Sequence, residues 1–597
     1  MSELWEPADT FDARLALSVD GRLHTANEAG VLTSADVHVA RTLAQLTGET
    51  DEDVLLAAAL TVRAVRAGSV CLDLATVGDI PLPEGAEIAW PETADWAAAV
   101  ADSRLVAAGV LRWEHDLLYL DRYHEQESQV LDDLVERTRS QPAYDDARIT
   151  AALDRILAAP GFAEQAEACA RAARQWTTVL TGGPGTGKTT AVAALLATLR
   201  DAQPDGAPLR VALTAPTGKA SARLRESVRD AAAPPRPDAV APEFSDDERA
   251  WLSGLEAMTL HRLLRRDPGN TTRFRHHRGN RLPHDVVVVD ETSMVSLTMM
   301  ARLLEAVRPD CRLVLVGDPD QLASVEAGAV LGDLVEGYSG RDDSPVAALS
   351  TTHRFGEHIG ALATALRDGD ADAALAVLAA GHDEVVWVRE EDPSVVVRNA
   401  TLPAALAVRS AAERGDAEGA LAALDRHRLL CAHRDGPFGV RHWNRRVESW
   451  LAAETGDPLY ERYYLGRPLL VTANDYALGV LNGDTGVVVA ASGSGVDGVG
   501  RVAMRDTDGL RFLAPSRLGE VDTMHAMTIH KSQGSQVDEV TVLLPDEESR
   551  LLTRELFYTA VTRARHRVRV VGAESAVRAA VERQARRASG LAARLRG

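Results

Sequence analysis

The residues best suited to chemistry lie in a glycine-rich segment in the first half of the chain. Its members are Gly182, Gly183, Pro184, Gly185, Thr186, Gly187, Lys188 and Thr189. An apolar stretch at 176–180 precedes the segment, and an alanine- and leucine-rich stretch at 190–199 follows it. This order is typical of a phosphate-binding loop, because glycines let backbone N–H groups surround phosphates at a helix N-terminus. We expect Lys188 to contact the β- and γ-phosphates of ATP and the Thr189 hydroxyl to bind Mg²⁺.

A second chemical signal is a pair of carboxylates that follows four consecutive valines at 286–289. A buried strand ending in Asp290 and Glu291 would present both groups where an open parallel sheet binds its ligand. Asp290 is predicted to bind Mg²⁺ through water, and Glu291 to orient and deprotonate the attacking water. A solvated acidic pair is the alternative. The pair follows the phosphate loop by about 100 residues, which favours the catalytic interpretation.

The elements that position these groups alternate between β-rich and helical segments from about residue 145 onward, which predicts a parallel α/β sheet. Buried strands are predicted at 176–180, 209–213, 286–289 and 312–316. Residues 1 to about 130 have apolar residues at helical spacing, so a mainly helical N-terminal domain is expected. Residues 231–247 are predicted to form a loop, and the glycine- and valine-rich stretch 488–518 a small inserted β-module.

Length and composition set the broad class. A chain of 597 residues is too long for one core, so three or four domains are expected. The 46% hydrophobic and 25% charged residues exclude a largely disordered chain. We find no apolar run of 18 residues and no export signal, and the four cysteines are scattered without metal-ligand spacing. The sequence therefore predicts a cytoplasmic protein without a membrane span.

The charge balance counts modestly against nucleic acid. The chain has 65 basic and 87 acidic residues, a net charge of −22, whereas phosphate binding depends on lysine and arginine. A protein that grips one strand needs only a basic groove, and two arginine-rich stretches, 262–281 and 563–597, are local exceptions. The first surrounds Phe274 and is either a DNA-contacting loop or a solvated face. For the second, a solvated helix face is the preferred interpretation.

Six further segments resemble, in order, the motifs of superfamily-one helicases. They are APTGKA at 215–220, TLHRLL at 259–264, LVGDPDQL at 315–322, HRF at 353–355, TIHKSQG at 528–534 and YTAVTRAR at 558–565. Within that superfamily, the sequence is similar to those of the RecD (alpha) subunits of bacterial exodeoxyribonuclease V. The phrases that carry this likeness are GGPGTGKTT at 182–190, VGDPDQLASVEAGAVLGDL at 316–334, CAHRDGPFGVRHWN at 431–444, NDYALGVLNGDTG at 474–486, GSVCLDLA at 68–75 and YLDRYHEQE at 119–127.

The resemblance implies an α/β fold with two RecA-like parallel-sheet motor domains, a mainly helical N-terminal domain and a small SH3-like β insertion. The implied boundaries are 1–130 for a helical partner-docking domain, 131–360 for the first motor domain with a hairpin near 262–283, and 361–597 for the second motor domain with the insertion near 475–520. The hairpin is the element that would split a duplex.

The resemblance also implies roles for individual residues. Gln165 would bind adenine and Gln321 would sense the γ-phosphate, while Arg354 and Arg563 would act as arginine fingers from the second motor domain. Gln536 stands where many superfamily members carry a ribose-binding glutamate, so ribose contact stays open. The implied DNA contacts are Pro216, Thr217, Lys219, Thr259, His261, Thr528, His530 and Lys531. Their alternative role is to satisfy turns within loops.

The activity implied by the resemblance is ATP-dependent 5′→3′ unwinding of DNA. The chain would bind single strands and duplex ends as one subunit of a heterotrimer with RecB-like and RecC-like chains. The nuclease site would lie on a partner, because we find no separate acidic cluster in this sequence. A stand-alone RecD-like helicase, an RNA-directed helicase and a non-catalytic scaffold are the alternatives. Stand-alone helicases of the longer RecD-like group carry N-terminal helix-hairpin-helix elements, and we find no such glycine-containing hairpins before residue 150. The absence of zinc-ligand cysteines argues against an RNA-directed helicase. The complete set of motif residues argues against a scaffold.

Overall fold

The computed structural model describes most of the chain. The described residues are 12–80, 82, 87–203, 207–234, 240–267, 269–351, 356–389, 392–475, 477–491, 500–506, 509–585 and 587–596. The predicted arginine finger Arg354 lies outside these residues. Within them, no helix is both long and apolar enough to cross a membrane.

The N-terminal region is mainly helical, as predicted. Its helices are α1 (Gly21–Glu28), α2 (Ser34–Thr47), α3 (Glu52–Arg66), α4 (Thr93–Ala101), α5 (Arg104–Ala107) and α6 (Asp121–Thr138). Its strands β1 (Cys71–Asp73), β2 (Leu111–Glu114) and β3 (Leu117–Leu120) form an antiparallel sheet in the order β1-β3-β2. Asp51 caps helix α3, because its side chain accepts hydrogen bonds from the backbone of Asp53 and Val54, and the apolar side of the helix packs in the core beside Trp96. Helix α6 runs through the boundary expected at residue 130.

A parallel sheet follows, which we call the first lobe together with its helices. The helices are α7 (Asp146–Ile156), α8 (Ala163–Arg174), α9 (Lys188–Asp201), α10 (Gly218–Ala232), α11 (Asp246–Ser253), α12 (Leu260–Leu264), α13 (Leu297–Ala306) and α14 (Val330–Gly337). The strands are β4 (Thr177–Gly182), β5 (Val211–Ala215), β6 (Ala257–Thr259), β7 (Arg266–Asp267), β8 (Asn270–Phe274), β9 (Val286–Val289), β10 (Arg312–Gly317) and β11 (Val346–Leu349).

The strand order of this sheet is β11-β4-β10-β9-β5-β6, and every pairing in it is parallel. Strand β9 is completely buried because helices cover both faces of the sheet, which explains why it is a continuous run of valine. The four predicted strands correspond to β4, β5, β9 and β10, with ends shifted by up to two residues. Strands β7 and β8 form a separate antiparallel hairpin within the predicted arginine-rich stretch.

The second lobe contains another parallel sheet. Its helices are α15 (Glu357–Asp368), α16 (Ala371–Ala379), α17 (Ser394–Glu413), α18 (Ala417–Leu424), α19 (Val440–Thr455), α20 (Arg554–Val561) and α21 (Glu574–Glu582). Its strands are β12 (Val385–Val388), β13 (His427–Cys431), β19 (Ala526–Thr528), β20 (Val537–Leu543) and β21 (Ala564–Val571). The order is β12-β21-β20-β13-β19, and all pairings are parallel.

An insertion sheet interrupts the second lobe before β19. It consists of β14 (Pro468–Val471), β15 (Thr485–Val489), β16 (Arg501–Asp506), β17 (Gly509–Leu513) and β18 (Val521–Thr523). The strands are antiparallel in the order β17-β16-β15-β14-β18 and enclose a small core around Leu469, Val488 and Val502. The sheet therefore extends beyond the expected limits of 475 and 520, and its SH3-like character stays a prediction.

The last described residues, 587–596, form a C-terminal strap that leaves the second lobe and returns to the first. The strap ends in helix α22 (Leu591–Arg596). Leu591 and Leu595 are buried, and the Ala588 carbonyl accepts a 2.8 Å hydrogen bond from the backbone of Val70. A Cβ atom added to Gly337 would lie only 2.8 Å from the side chain of Leu595. The preferred interpretation of this end of the chain as a solvated helix face is therefore wrong for the strap.

Candidate functional site

The residues that are predicted to bind or hydrolyse the nucleotide follow neighbouring strands of the first sheet. Strand β10 pairs with β4 on one side and with β9 on the other, so the ends of these strands meet at one edge. The phosphate loop follows β4, Asp290 and Glu291 follow β9, and Gln321 lies just after β10. The carboxyl edge of a parallel sheet is where such folds bind their ligands.

The phosphate loop depends on glycine at particular positions. Gly185 and Gly187 have φ angles of 88° and 83°, in the left-handed region that other residues rarely adopt. A Cβ atom on Gly182 would lie 2.6 Å from both the Leu349 carbonyl oxygen and the Thr186 hydroxyl. The ammonium of Lys188 donates a 2.8 Å hydrogen bond to the Gly183 carbonyl, which keeps this side chain folded back along the loop.

Gln165 supports the same loop from helix α8. Its side chain is buried, and its Nε2 atom donates a 2.9 Å hydrogen bond to the carbonyl of Thr186. Among the described residues, its Oε1 atom is buried without a hydrogen-bond partner. A buried acceptor without a partner is costly in a folded protein, so this atom is suited to a ligand that brings a donor.

Asp290 and Glu291 occupy an unusual position electrostatically and conformationally. Burial raises the pKa of Asp290, and the adjacent Glu291 carboxylate raises it further, whereas Lys188 opposes both effects. Glu291 has a φ of 51°, a left-handed conformation that is strained for a residue other than glycine. Strain of this kind concentrates at functional sites because only a rigid surrounding structure maintains it.

Oxygen ligands suited to magnesium are present beside the loop. Thr189 provides a hydroxyl and Asp290 a carboxylate, and Mg²⁺ typically takes one or two such protein ligands together with phosphates and water. The chemistry of this donor set therefore fits a nucleotide-bound magnesium ion. Within the described residues, no group of three or more His, Cys, Asp or Glu side chains could hold a metal by itself.

The second lobe brings an arginine directly to this edge. Arg563 is buried, and its Nη2 atom donates a 3.0 Å hydrogen bond to Oε1 of Gln321. Nε2 of Gln321 in turn donates to Asp318 at 2.9 Å. The structure thus brings together Arg563 and Gln321, two predicted site residues that are widely separated in the sequence.

Sequence reasoning missed the other groups that join the two lobes here. The hydroxyl of Tyr558 donates a 3.1 Å hydrogen bond to Asp318, and the Thr559 hydroxyl accepts one of 3.1 Å from the backbone of Leu322. Nε2 of Gln533 donates to the Leu322 carbonyl at 3.0 Å. All of them lie inside segments already matched to helicase motifs, so their polar side chains were the available signal.

Several of the predicted DNA contacts follow strands at or next to the outer margin of each sheet. Thr217 and Thr259 follow the neighbouring strands β5 and β6, and Thr528 ends β19, an edge strand of the second lobe. The three hydroxyls accept hydrogen bonds of 3.2–3.3 Å from the backbone of Ala220, Arg262 and Lys531, respectively. The hydroxyls of Thr217 and Thr259 thus cap helices α10 and α12, and that of Thr528 satisfies the turn after β19, so all three have local structural roles of the kind the alternative assigned to them.

The remaining predicted contacts have different surroundings. Lys219 is half-buried, and burial lowers its pKa to about 8 with a further contribution from the charge of Arg428 in the second lobe. Pro216 is half-buried in the same loop. His261 is exposed and contacts the Phe274 ring edge to face at 5.7 Å.

The other two predicted DNA contacts, His530 and Lys531, lie in the 528–534 segment. Burial lowers the pKa of His530 to about 4, and the nearby Arg587 of the strap contributes. Lys531 forms a partly exposed ion pair of 3.7 Å with Asp522. The predicted contacts therefore share two sheet edges, but only some of them are open to solvent.

A phosphate loop on one parallel sheet, faced by an arginine from a second parallel sheet, defines a two-lobed ATPase of the helicase class. Three family models match the chain: the N-terminal domain of RecBCD enzyme subunit RecD at 28–119, an AAA domain at 162–390 and a UvrD-like helicase C-terminal domain at 523–571.

Three curated relatives extend this likeness. RecBCD enzyme subunit RecD of Mycolicibacterium smegmatis is 59% identical over 95% of this chain and 98% of the relative. The subunit from Mycobacterium tuberculosis is 56% identical over 98% of both chains. The ATP-dependent RecD2 DNA helicase of Deinococcus radiodurans is 32% identical over 70% of this chain and 50% of the relative. The chain belongs to the RecD subunit family of the RecBCD enzyme.

Proposed function

We propose that this chain is an ATP-driven 5′→3′ DNA helicase that works beside RecB-like and RecC-like subunits. The complex would degrade DNA ends and act in double-strand break repair by homologous recombination. The observation that carries the proposal is the hydrogen bond between Arg563 and Gln321, which joins the second lobe to the nucleotide edge of the first. Such a contact lets a change at the nucleotide alter the position of one lobe against the other.

The site residues have distinct roles in this proposal. Backbone N–H groups of the loop and Lys188 bind the phosphates, and the free acceptor of Gln165 receives the exocyclic amine of adenine. Thr189 and Asp290 would hold Mg²⁺, which neutralises charge on the phosphate oxygens when bound. Glu291 orients the attacking water and accepts its proton. Arg563 stabilises negative charge on the transferred phosphoryl group, and Arg354 is proposed to do the same.

Hydrolysis is converted into movement through the contacts between the lobes. ATP binding favours their closure, and product release removes that advantage, so the lobes alternate between two arrangements. The segments around Thr217 and Thr259 in the first lobe and Thr528 in the second would grip the DNA backbone without reading its sequence. The exposed His261, beside the hairpin, adds a contact near the point of strand separation.

The partners and location follow from the family. We infer that the helical N-terminal region docks onto a RecB-like or RecC-like chain, that the nuclease site lies on that partner, and that the complex acts in the cytoplasm. The 98% coverage of the two mycobacterial RecD relatives supports a subunit role, compared with 50% coverage of the RecD2 helicase.

The test measures DNA-stimulated ATP hydrolysis and unwinding for the wild type and Lys188→Gln, alone and with RecB-like and RecC-like chains. The wild type should hydrolyse ATP on single strands and unwind a 5′-tailed duplex but not a 3′-tailed one. The variant should lose at least about a hundredfold in rate. Unwinding by the isolated chain would support a stand-alone helicase. Absence of DNA-stimulated hydrolysis with partners present would support a scaffold and refute the proposal.

A further inference from the structure

Besides Lys188 and Arg563, the cation Arg223 lies near the nucleotide edge. The proposed function gives it no role so far. Arg223 lies on helix α10, which begins at the loop that carries Thr217. Its side chain is half-buried, and its Nη1 atom donates a 3.2 Å hydrogen bond to the carbonyl of Gly534 in the second lobe. Gly534 ends the 528–534 segment, which contains the proposed DNA contacts Thr528 and Lys531.

The contact between α10 and this segment is close over more than one residue. Gly534 has a φ of 69°, and a Cβ atom added there would lie 3.8 Å from Ala220 of α10. A side chain at residue 534 would therefore be strained by its backbone conformation while reaching van der Waals contact with the helix. The backbone of the segment and the helix meet directly, so a shift of one displaces the other.

The same guanidinium lies within electrostatic reach of the two predicted catalytic carboxylates. Burial lowers the pKa of Arg223, whereas the charges of Glu291 and then Asp290 counteract this effect. Reciprocally, Arg223 is one of the cations that lower the pKa of Asp290. Glu291 is also the strongest opposite charge acting on Arg563. Arg223 is therefore hydrogen-bonded to the DNA-facing segment of one lobe and interacts electrostatically with the hydrolytic groups of the other.

We propose that Arg223 is a positioning residue that couples the DNA-facing segment 528–534 to the hydrolytic carboxylates. DNA held by the segment fixes the Gly534 carbonyl, and this carbonyl holds the guanidinium beside Glu291 in the orientation that suits water activation. Without DNA, the segment and the guanidinium are free to shift together, and hydrolysis slows. The inference rests on the proposed helicase function and adds the path by which DNA stimulates hydrolysis.

The experiment compares the full chain, with its partners, as wild type, Arg223→Gln, Arg223→Lys and Arg229→Gln. Arg229 is exposed on the same helix, so its variant applies the same chemical change away from both lobes. The measurements are kcat with and without a single-stranded oligonucleotide, KM for ATP, and Kd for the same oligonucleotide. Arg223→Gln should reduce the stimulation ratio about tenfold, while KM and Kd change by less than about threefold. Arg223→Lys should recover part of it, because it keeps the charge but not the planar fork.

Several outcomes would overturn the inference. Stimulation of Arg223→Gln within about twofold of the wild type would remove the coupling role. Equal losses of stimulation and of oligonucleotide affinity would make Arg223 a DNA contact instead. A similar loss in Arg229→Gln would show a general effect of charge on the helix. Absence of stimulation in the wild type would refute the proposed function itself, which distinguishes the two failures.

Discussion

Replacing Tyr558 by phenylalanine tests whether the bonds between the lobes control nucleotide affinity. The change removes one hydroxyl and keeps the ring. That hydroxyl donates to the buried carboxylate of Asp318 in the first lobe, and a Cβ atom added to Gly183 of the phosphate loop would lie 3.1 Å from it. The bond therefore exists only when the second lobe is against the nucleotide edge.

The expected magnitude follows from what Asp318 keeps. A hydrogen bond to a buried acceptor contributes about 1–3 kcal/mol. Asp318 retains two other donors, Nε2 of Gln321 at 2.9 Å and the backbone of Asp320 at 3.1 Å. The loss should therefore lie near the lower end, about 1–2 kcal/mol, which corresponds to about five- to thirtyfold in an equilibrium constant. Because the bond favours the closed arrangement, the KM for ATP should rise by up to that factor.

The assay is steady-state ATP hydrolysis with saturating single-stranded DNA, together with direct binding of a fluorescent nucleotide. The matched control is Tyr338→Phe, because the Tyr338 hydroxyl is buried in the first lobe without a hydrogen-bond partner among the described residues. This control should leave KM within about twofold of the wild type. A Tyr558→Phe variant with unchanged KM and nucleotide affinity, or a control that raises them equally, would refute the role given to the contact.

Two further predictions concern stability. Burial raises the pKa of Asp333 to about 7, and the nearby Glu127 carboxylate adds to the rise, so the native state binds this proton more tightly than the unfolded state. The resulting stabilisation of the native state is complete below about pH 4 and is lost as the pH rises to about 7. In denaturant unfolding, Asp333→Asn should therefore gain more stability over the wild type at pH 8 than at pH 5. An equal gain at both pH values would contradict the assignment. Leu591→Ala should destabilise the docked strap by about 2–5 kcal/mol and increase its proteolytic release, whereas the exposed Leu46→Ala should cost about 0.5 kcal/mol or less; equal effects would show that the strap is not held by this side chain.

The strands of the first lobe could be predicted because their physical signal is local. A strand buried on both faces must be apolar throughout, and the valines of β9 and the apolar residues of β10 meet that condition. The phosphate loop was predictable for the same reason, since Gly185, Gly187 and Lys188 are adjacent in sequence. Both features depend on a few consecutive residues, and no distant part of the chain is needed to recognise them.

The contacts between the lobes could not be predicted, because they join residues that are far apart in the chain. Tyr558 and Asp318 are separated by 240 residues, and nothing in either segment indicates the other. Lys219 illustrates the same limit. Its motif position favours an open DNA groove, but the side chain is half-buried and the charge of Arg428 in the second lobe acts on it.

The strap shows a different kind of error. Its arginines favoured a solvated face, yet Leu591 and Leu595 are four residues apart and form one apolar side of a short helix. That spacing was available in the sequence and was outweighed by the charge. Several of its charges are in fact partnered: Arg594 interacts with Glu127, and Arg596 forms an ion pair with Glu336.

The strap also gives a structural role to two N-terminal sequence segments that resemble the family but contain no predicted catalytic residues. In the phrase at 68–75, the Ser69 hydroxyl accepts a hydrogen bond from the backbone of Ala588. In the phrase at 119–127, the buried Glu127 carboxylate accepts hydrogen bonds from Tyr119, Ser589 and the backbone of Gly590. These residues form part of the surface on which the strap docks, so their role here is structural rather than catalytic.

Between Ala585 and Arg587 the chain returns from the second lobe to the first, and this passage limits how the lobes can move. The backbone of Ala585 donates to Glu555 in the second lobe, whereas Arg587 donates to the carbonyl of Glu326 in the first. Only two peptide units separate Ala585 and Arg587, and two residues span at most about 7 Å when fully extended, to which the Arg587 side chain adds its own length. Any opening of the cleft must therefore pivot close to this point or release the strap. The strap would then limit how far the two lobes can separate.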